Sequence, residues 1–116
     1  MRMLLKVSLP VESGNEAARS GRLGSILQSI LAEQRPEAAY FAEMDGRRTG
    51  IIVVDIKDPS EIPALAEPYF LAFNARVEVH PAMTPGDLEK AGPAIEQAVA
   101  KYGGKGTPAL AGGSRN

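Results

Sequence analysis

AAYFAEMDGRRTGIIVVDI, residues 38–56, places two β-prone runs on either side of Asp45-Gly46. Type I′ turns need positive φ at both central residues, so this dipeptide between such runs predicts a hairpin. A two-residue loop sets Met44 opposite Arg47, Ala42 opposite Thr49 and Tyr40 opposite Ile51. Opposed residues share a face, which groups Tyr40 with Ile51 and Val53. A three-residue loop would reverse that assignment. The second run, GIIVVDI, is apolar on both sides, and a strand of that kind is covered above and below.

On the amino-terminal side, Met3, Leu5, Val7 and Leu9 alternate with Arg2, Leu4, Lys6 and Ser8, the period of a half-buried strand that Pro10 ends. Leu23, Ile26, Leu27, Ile30 and Leu31 then form one helical face, with Asn15 or Ser20 as the candidate cap. Gly24 weakens this helix and Pro36 bars its continuation. Beyond the hairpin, DPSEIPALAEPYFLAF predicts a second helix with Ser60 as N-cap, Pro63 in the first turn and a kink or break at Pro68. ARVEVH follows as a fourth strand, with Ala75, Val77 and Val79 on one side and Arg76, Glu78 and His80 on the other. TPGD reads as a capping box of Thr84 and Asp87, opening a third helix that carries Leu88, Ile95, Val99 and Tyr102 and is interrupted at Gly92-Pro93.

The order β-α-β-β-α-β-α contains the split βαβ, or ferredoxin-like, pattern. Residues 1–102 are therefore expected to form a single α+β domain, and the Gly-rich segment 103–116 a flexible tail. Right-handed crossovers place the first and third strands at the centre, with the two main helices on one face. Met3, Leu5, Val7, Ile52, Val54, Ile56, Val77 and Val79 form the helix-facing set. The opposite face carries Leu4, Ile51, Val53 and Tyr40 among polar residues. Either the third helix folds under it or a second copy of the sheet does; the second copy is the expected cover. Each ~100 Å² of apolar area withdrawn there contributes about 2.5 kcal/mol before the costs of association.

Composition excludes several classes. With 13 basic and 14 acidic side chains, no strong field exists to attract nucleic acid or an anionic membrane. The absence of cysteine removes disulfides, thiolate nucleophiles and sulfur-based zinc sites. No apolar stretch approaches the ~20 residues that span a bilayer, and MRMLLKVSLP is too short and interrupted for a secretory signal, so a cytoplasmic protein is expected. GGKGT at 103–107 follows a helix and lacks the spacing of a phosphate loop. No D-x-D-x-D cluster offers a metal site, and no cofactor is expected. His80, the single histidine, would suffice as an axial haem ligand, yet nothing else in the chain supports one.

The candidate site residues lie on the second face. Lys6 and Glu78 are expected cross-strand partners, with Arg76 and His80 flanking Glu78 at two-residue spacing. Tyr40 and Asp55 would complete a polar lining around an apolar floor. Lys6 or Arg76 would hold a carboxylate, with Tyr40 and Asp55 as further ligand contacts. His80, with Glu78 beside it, would move a proton near neutral pH. The plainer reading is that these charges pair across a dimer seam or protect an edge strand.

Together, MLLKVSLP opening the sheet, AAYFAEMDGRRTGIIVVDI as hairpin and AEPYFLAFNARVEVHPAMTPGDLEKAGP closing it resemble a family of small uncharacterised bacterial proteins. That family is similar in form to the dimeric α/β-barrel superfamily, and the resemblance covers roughly residues 1–102. Superfamily members include muconolactone isomerases, antibiotic-biosynthesis monooxygenases and haem enzymes acting on dyes or chlorite, besides members without known activity. No catalytic motif of theirs maps onto this chain residue by residue. The resemblance implies a homodimer with sheets face to face. The polar residues of the second face lead to the expectation of a pocket for a small carboxylated or carbonyl compound between sheet and partner, or else of a non-catalytic dimer whose second face is only a seam.

Overall fold

The computed structural model describes residues 1–104, so most of the expected tail, residues 105–116, lies outside the described residues. The described residues divide into two compact units, Met1–Ala82 and a second that begins at Met83.

The first unit is built on a four-stranded antiparallel sheet of order β2-β3-β1-β4. Its strands are β1 (Arg2–Ser8), β2 (Ala38–Met44), β3 (Arg47–Asp55) and β4 (Arg76–Pro81). With helices between β1 and β2 and between β3 and β4, this is the ferredoxin-like arrangement, with the first and third strands central as expected. Asp45 and Gly46 have φ of 55° and 75°, the two positive values that the hairpin turn requires. The two-residue register follows: Met44 pairs with Arg47, Ala42 with Thr49 and Tyr40 with Ile51.

The helices are α1 (Val11–Arg19), α2 (Arg22–Gln34) and α3 (Ile62–Phe73). Sequence periodicity predicts one helix where the structure has α1 and α2. Helix begins directly after Pro10, so Asn15 lies inside α1 and caps nothing. Ser20 ends α1 instead of starting a helix, and Gly21, at φ 77°, turns the chain into α2. A left-handed residue there is what glycine supplies at least cost. The cap before α3 also differs. Asp58, not Ser60, accepts from the Ser60 amide, and Glu61 reaches back to the Asp58 amide, closing a capping box around Pro59–Glu61. Pro68 does not break α3, whose Leu65, Ala66, Tyr69 and Phe73 are buried and hold it on the sheet.

The core is the layer between these helices and one sheet face. Met3, Leu5 and Val7 alternate inward from β1, Ile52 and Val54 from β3, and meet Ala17, Ile30, Leu65, Tyr69 and Phe73. Full burial of each large aliphatic side chain contributes ~1.5–3 kcal/mol, which makes this layer the main source of stability. Ile56 belongs to it, and Val77 and Val79 pack against it. The predicted helix-facing set is thus the observed one.

The second unit contains α4 (Pro85–Lys90) and α5 (Gly92–Tyr102). Thr84 and Asp87 close the expected capping box, and the chain breaks between the two helices at Ala91, just before Gly92-Pro93. Leu88, Ile95, Val99 and Tyr102 are all exposed. Among the described residues, no helix is long and apolar enough to cross a membrane.

Candidate functional site

Strand register fixes which polar side chains share the second face. Lys6 stands opposite Glu78, Ser8 opposite Arg76 and Leu4 opposite His80. On the other side of β1, Lys6 pairs with Ile51 and Leu4 with Val53. One row across the sheet therefore reads Tyr40, Ile51, Lys6, Glu78, and the next reads Ala38, Val53, Leu4, His80. Leu4, Ile51 and Val53 are each half-buried, forming an apolar strip beside the charges.

Four of the predicted residues converge. With its proton on Nε2, His80 donates to Glu78 Oε1 at 3.2 Å, and Arg76 Nη2 lies 3.9 Å from Glu78 Oε2. The bond from His80 holds the Glu78 carboxyl below its ordinary value, outweighing the cost of burial, and Lys6 and Arg76 add smaller attractions. Glu78 is a carboxylate surrounded by three cationic or potentially cationic groups, and its side chain is only 33% exposed.

Tyr40 and Asp55 do not join this cluster. Tyr40 lies on the edge strand β2, three strand spacings from β4, about 14 Å from the Glu78 position. The residue is 71% exposed. Asp55 pairs with Arg2, four residues along β1 from Lys6, or about 13 Å. Its carboxylate accepts from the Met1 amine at 2.9 Å, and that contact lowers its pKa. Arg2 forms a two-bond fork with Glu37, at 2.8 and 3.0 Å. Among the described residues, no group of three or more His, Asp or Glu side chains is placed to hold a metal ion.

A second candidate lies on the helix side and was not foreseen from the sequence. It is an apolar cleft of about 650 Å³ between the hairpin and helices α1 and α2. Leu9, Leu23, Leu27 and Phe41 are among its walls, and Asn15 and Arg48 are among its polar residues. Gly50 opens the space: Phe41 stands opposite it in register, and a Cβ at position 50 would come within 3.2 Å of the Phe41 ring. Arg48 Nη1 donates to Asn15 Oδ1 at 3.0 Å. The sequence signal was a glycine interrupting β-branched residues opposite an aromatic, but the other walls come from distant segments.

No protein-family model matches the sequence, and no curated protein matches it. Among solved structures, the chain is similar to the crystal structure of a formyltetrahydrofolate deformylase from Pseudomonas putida KT2440. Identity is 18% and the TM-score 0.45, over 71% of this chain and 29% of that one. The chain thus spans less than a third of that enzyme's length.

Proposed function

We propose that the chain works as a homodimer with its sheets face to face, in the manner of dimeric α/β barrels. In this reading it binds or transforms a small carboxylated or carbonyl metabolite between sheet and partner. The observation that carries the proposal is the convergence of Lys6, Arg76 and His80 on Glu78 beside the half-buried strip of Leu4, Ile51 and Val53. Aliphatic side chains left half-open on a sheet face gain from being covered, at roughly 25 cal/mol per Å² of area removed from water. An isologous pairing brings two copies of the cluster into one interface, since the same patch serves on both subunits.

Lys6 and Arg76 supply the positive charge that a substrate carboxylate needs. Glu78 orients the His80 imidazole, which exchanges a proton with the bound compound. Tyr40 and Asp55 are too far from Glu78 within one subunit to share this role, so they enter the site only where the partner's sheet brings them over. We place the chain in the cytoplasm.

The second reading is a seam without chemistry. It is favoured by Glu78 already having cationic neighbours within its own subunit. The two readings separate by experiment. Sedimentation velocity on the wild-type chain should give a dimer that Ile51→Lys converts to monomer. Thermal shifts across a set of small carboxylates and ketones should then show stabilisation that Arg76→Ala with His80→Ala removes. A dimer that no compound stabilises supports the seam, and a monomer at all accessible concentrations rejects both.

A further inference from the structure

We propose that the cleft between the hairpin and α1–α2 binds an amphipathic monoanion, a carboxylate carrying an aliphatic chain or an aromatic ring. It is separate from the proposed second-face site, because its wall residues Val7, Ile52 and Phe41 point to the helix side of the sheet. Its volume of about 650 Å³ lies within the ~300–1,000 Å³ usual for small-ligand sites. Leu23 and Leu27 are only half-buried and Val11 and Phe41 are exposed, so an apolar guest would complete a layer that the protein's own side chains leave open.

Arg48 carries the preference for charge. It stands directly opposite Glu43 in the β2–β3 register, where an ion pair would be the ordinary outcome. Glu43 instead turns its Oε2 to the Gly46 amide at 2.7 Å. The Arg48 partner is the neutral Asn15 amide, and among the described residues Arg48 forms no salt bridge. Asn15 holds one guanidinium nitrogen and leaves other N–H groups for a carboxylate, which arginine grips in a two-bond fork. Gly14 makes room for that placement, since a Cβ there would stand 2.9 Å from Arg48 Nη1. With Arg47, Arg48 and Glu43 all lining the cleft, its charged groups sum to one net positive charge (two cations, one anion).

The test is a titration of the ¹⁵N-labelled full chain with decanoate and, separately, with decanol. Decanoate should shift the amides of Leu23, Leu27, Phe41 and Gly50 saturably, leaving Lys6 and Glu78 unmoved. Arg48→Met should weaken decanoate about tenfold while changing decanol by less than about twofold, because only the charged contact is lost. Val11→Trp, a surface change that fills the cleft, should abolish both, and spectral dispersion reports whether each variant is folded. Three results would overturn the proposal. They are no saturable shift in the cleft, equal affinity for acid and alcohol, and cleft amides that move with protein concentration without ligand, which would make a second copy the occupant. The first two do not bear on the second-face site, whose test reads different residues; for the third, shifts that persist in Ile51→Lys place the second copy in the cleft rather than on the second face.

Discussion

Phe41 and Gly50 face each other across the β2–β3 ladder, and the phenylalanine ring fills the space that a side chain at position 50 would take. The pair works as a unit: a bare glycine in a strand is a weak point, and a cross-strand aromatic covers it. Gly50→Val should destabilise the first unit by roughly 1 kcal/mol, because a branched side chain must push the ring aside. Phe41→Ala alone should cost a similar amount, about 1 kcal/mol, by uncovering the backbone. Combined, the two changes should cost clearly less than their sum. Urea unfolding of the four proteins measures that coupling, and strict additivity would show that the ring and the glycine act independently.

Tyr69 gives a signature at high pH. It is fully buried, donates to Gln34 Oε1 at 3.1 Å, and burial pushes its hydroxyl from 10.0 up to about 12. The folded value is raised, so this contribution is complete below pH 10. It is lost as pH rises from 10 to about 12, where the unfolded chain ionises first. The fall should approach 2–3 kcal/mol, from roughly 1.4 kcal/mol per unit. Tyr69→Phe should lose about 1 kcal/mol at neutral pH with its hydrogen bond, yet show a flatter alkaline limb. Chemical denaturation between pH 8 and 12 distinguishes the two proteins.

At the acid end the corresponding group is Glu78, whose pKa is depressed below its ordinary 4.5 chiefly by the bond from His80. A depressed carboxylate stabilises the fold above pH 4.5, and this contribution disappears as pH falls through the lower folded value. Glu78→Gln should therefore weaken the acid dependence of stability. His80→Ala should raise the Glu78 titration midpoint towards the ordinary value, as followed by carboxyl carbon shifts. An unchanged midpoint would mean that the ring does not hold the carboxylate in solution.

Leu5 tests the centre of the sheet. It is completely buried on β1, between Ile52 and Val79 in the two flanking strands. Leu5→Ala should cost about 2–5 kcal/mol, the range for a buried leucine whose surroundings collapse only partly. Leu71→Ala, at a position 80% exposed on α3, should be nearly silent in the same thermal melt.

The legible parts of this sequence were those fixed by short-range rules. Asp45-Gly46 determined the turn, the turn determined the register, and the register assigned every side chain of β2 and β3 to a face. Thr84 and Asp87 likewise needed only three residues of context. The break at Ser20–Gly21 was hidden because the face that α1 buries is made of Gly14 and Ala17, residues too small to register as an apolar stripe. At Pro68, tertiary packing outweighed a local breaker, and at Asp58 a neighbour of the expected cap made the better bond. Three of the cluster's four residues were readable because strand alternation alone aligns Arg76, Glu78 and His80. The expected strand order itself, with β3 and β1 between β2 and β4, already sets Tyr40 a sheet's width from Glu78. The cleft was invisible because it is assembled from Val11, Leu23, Phe41 and Arg48, which lie on separate segments of the chain.

The position of β1 between β3 and β4 also has a consequence for synthesis. Residues 2–8 leave the ribosome before either neighbour, and their ladders close only with residues 47–55 and then 76–81. Nascent chains stalled before the fourth strand would display one flank of that apolar segment with its amides unmatched. Pairings this distant along the chain slow folding, so release of the last strand, rather than helix formation, should set the pace at which newly made molecules become resistant to protease.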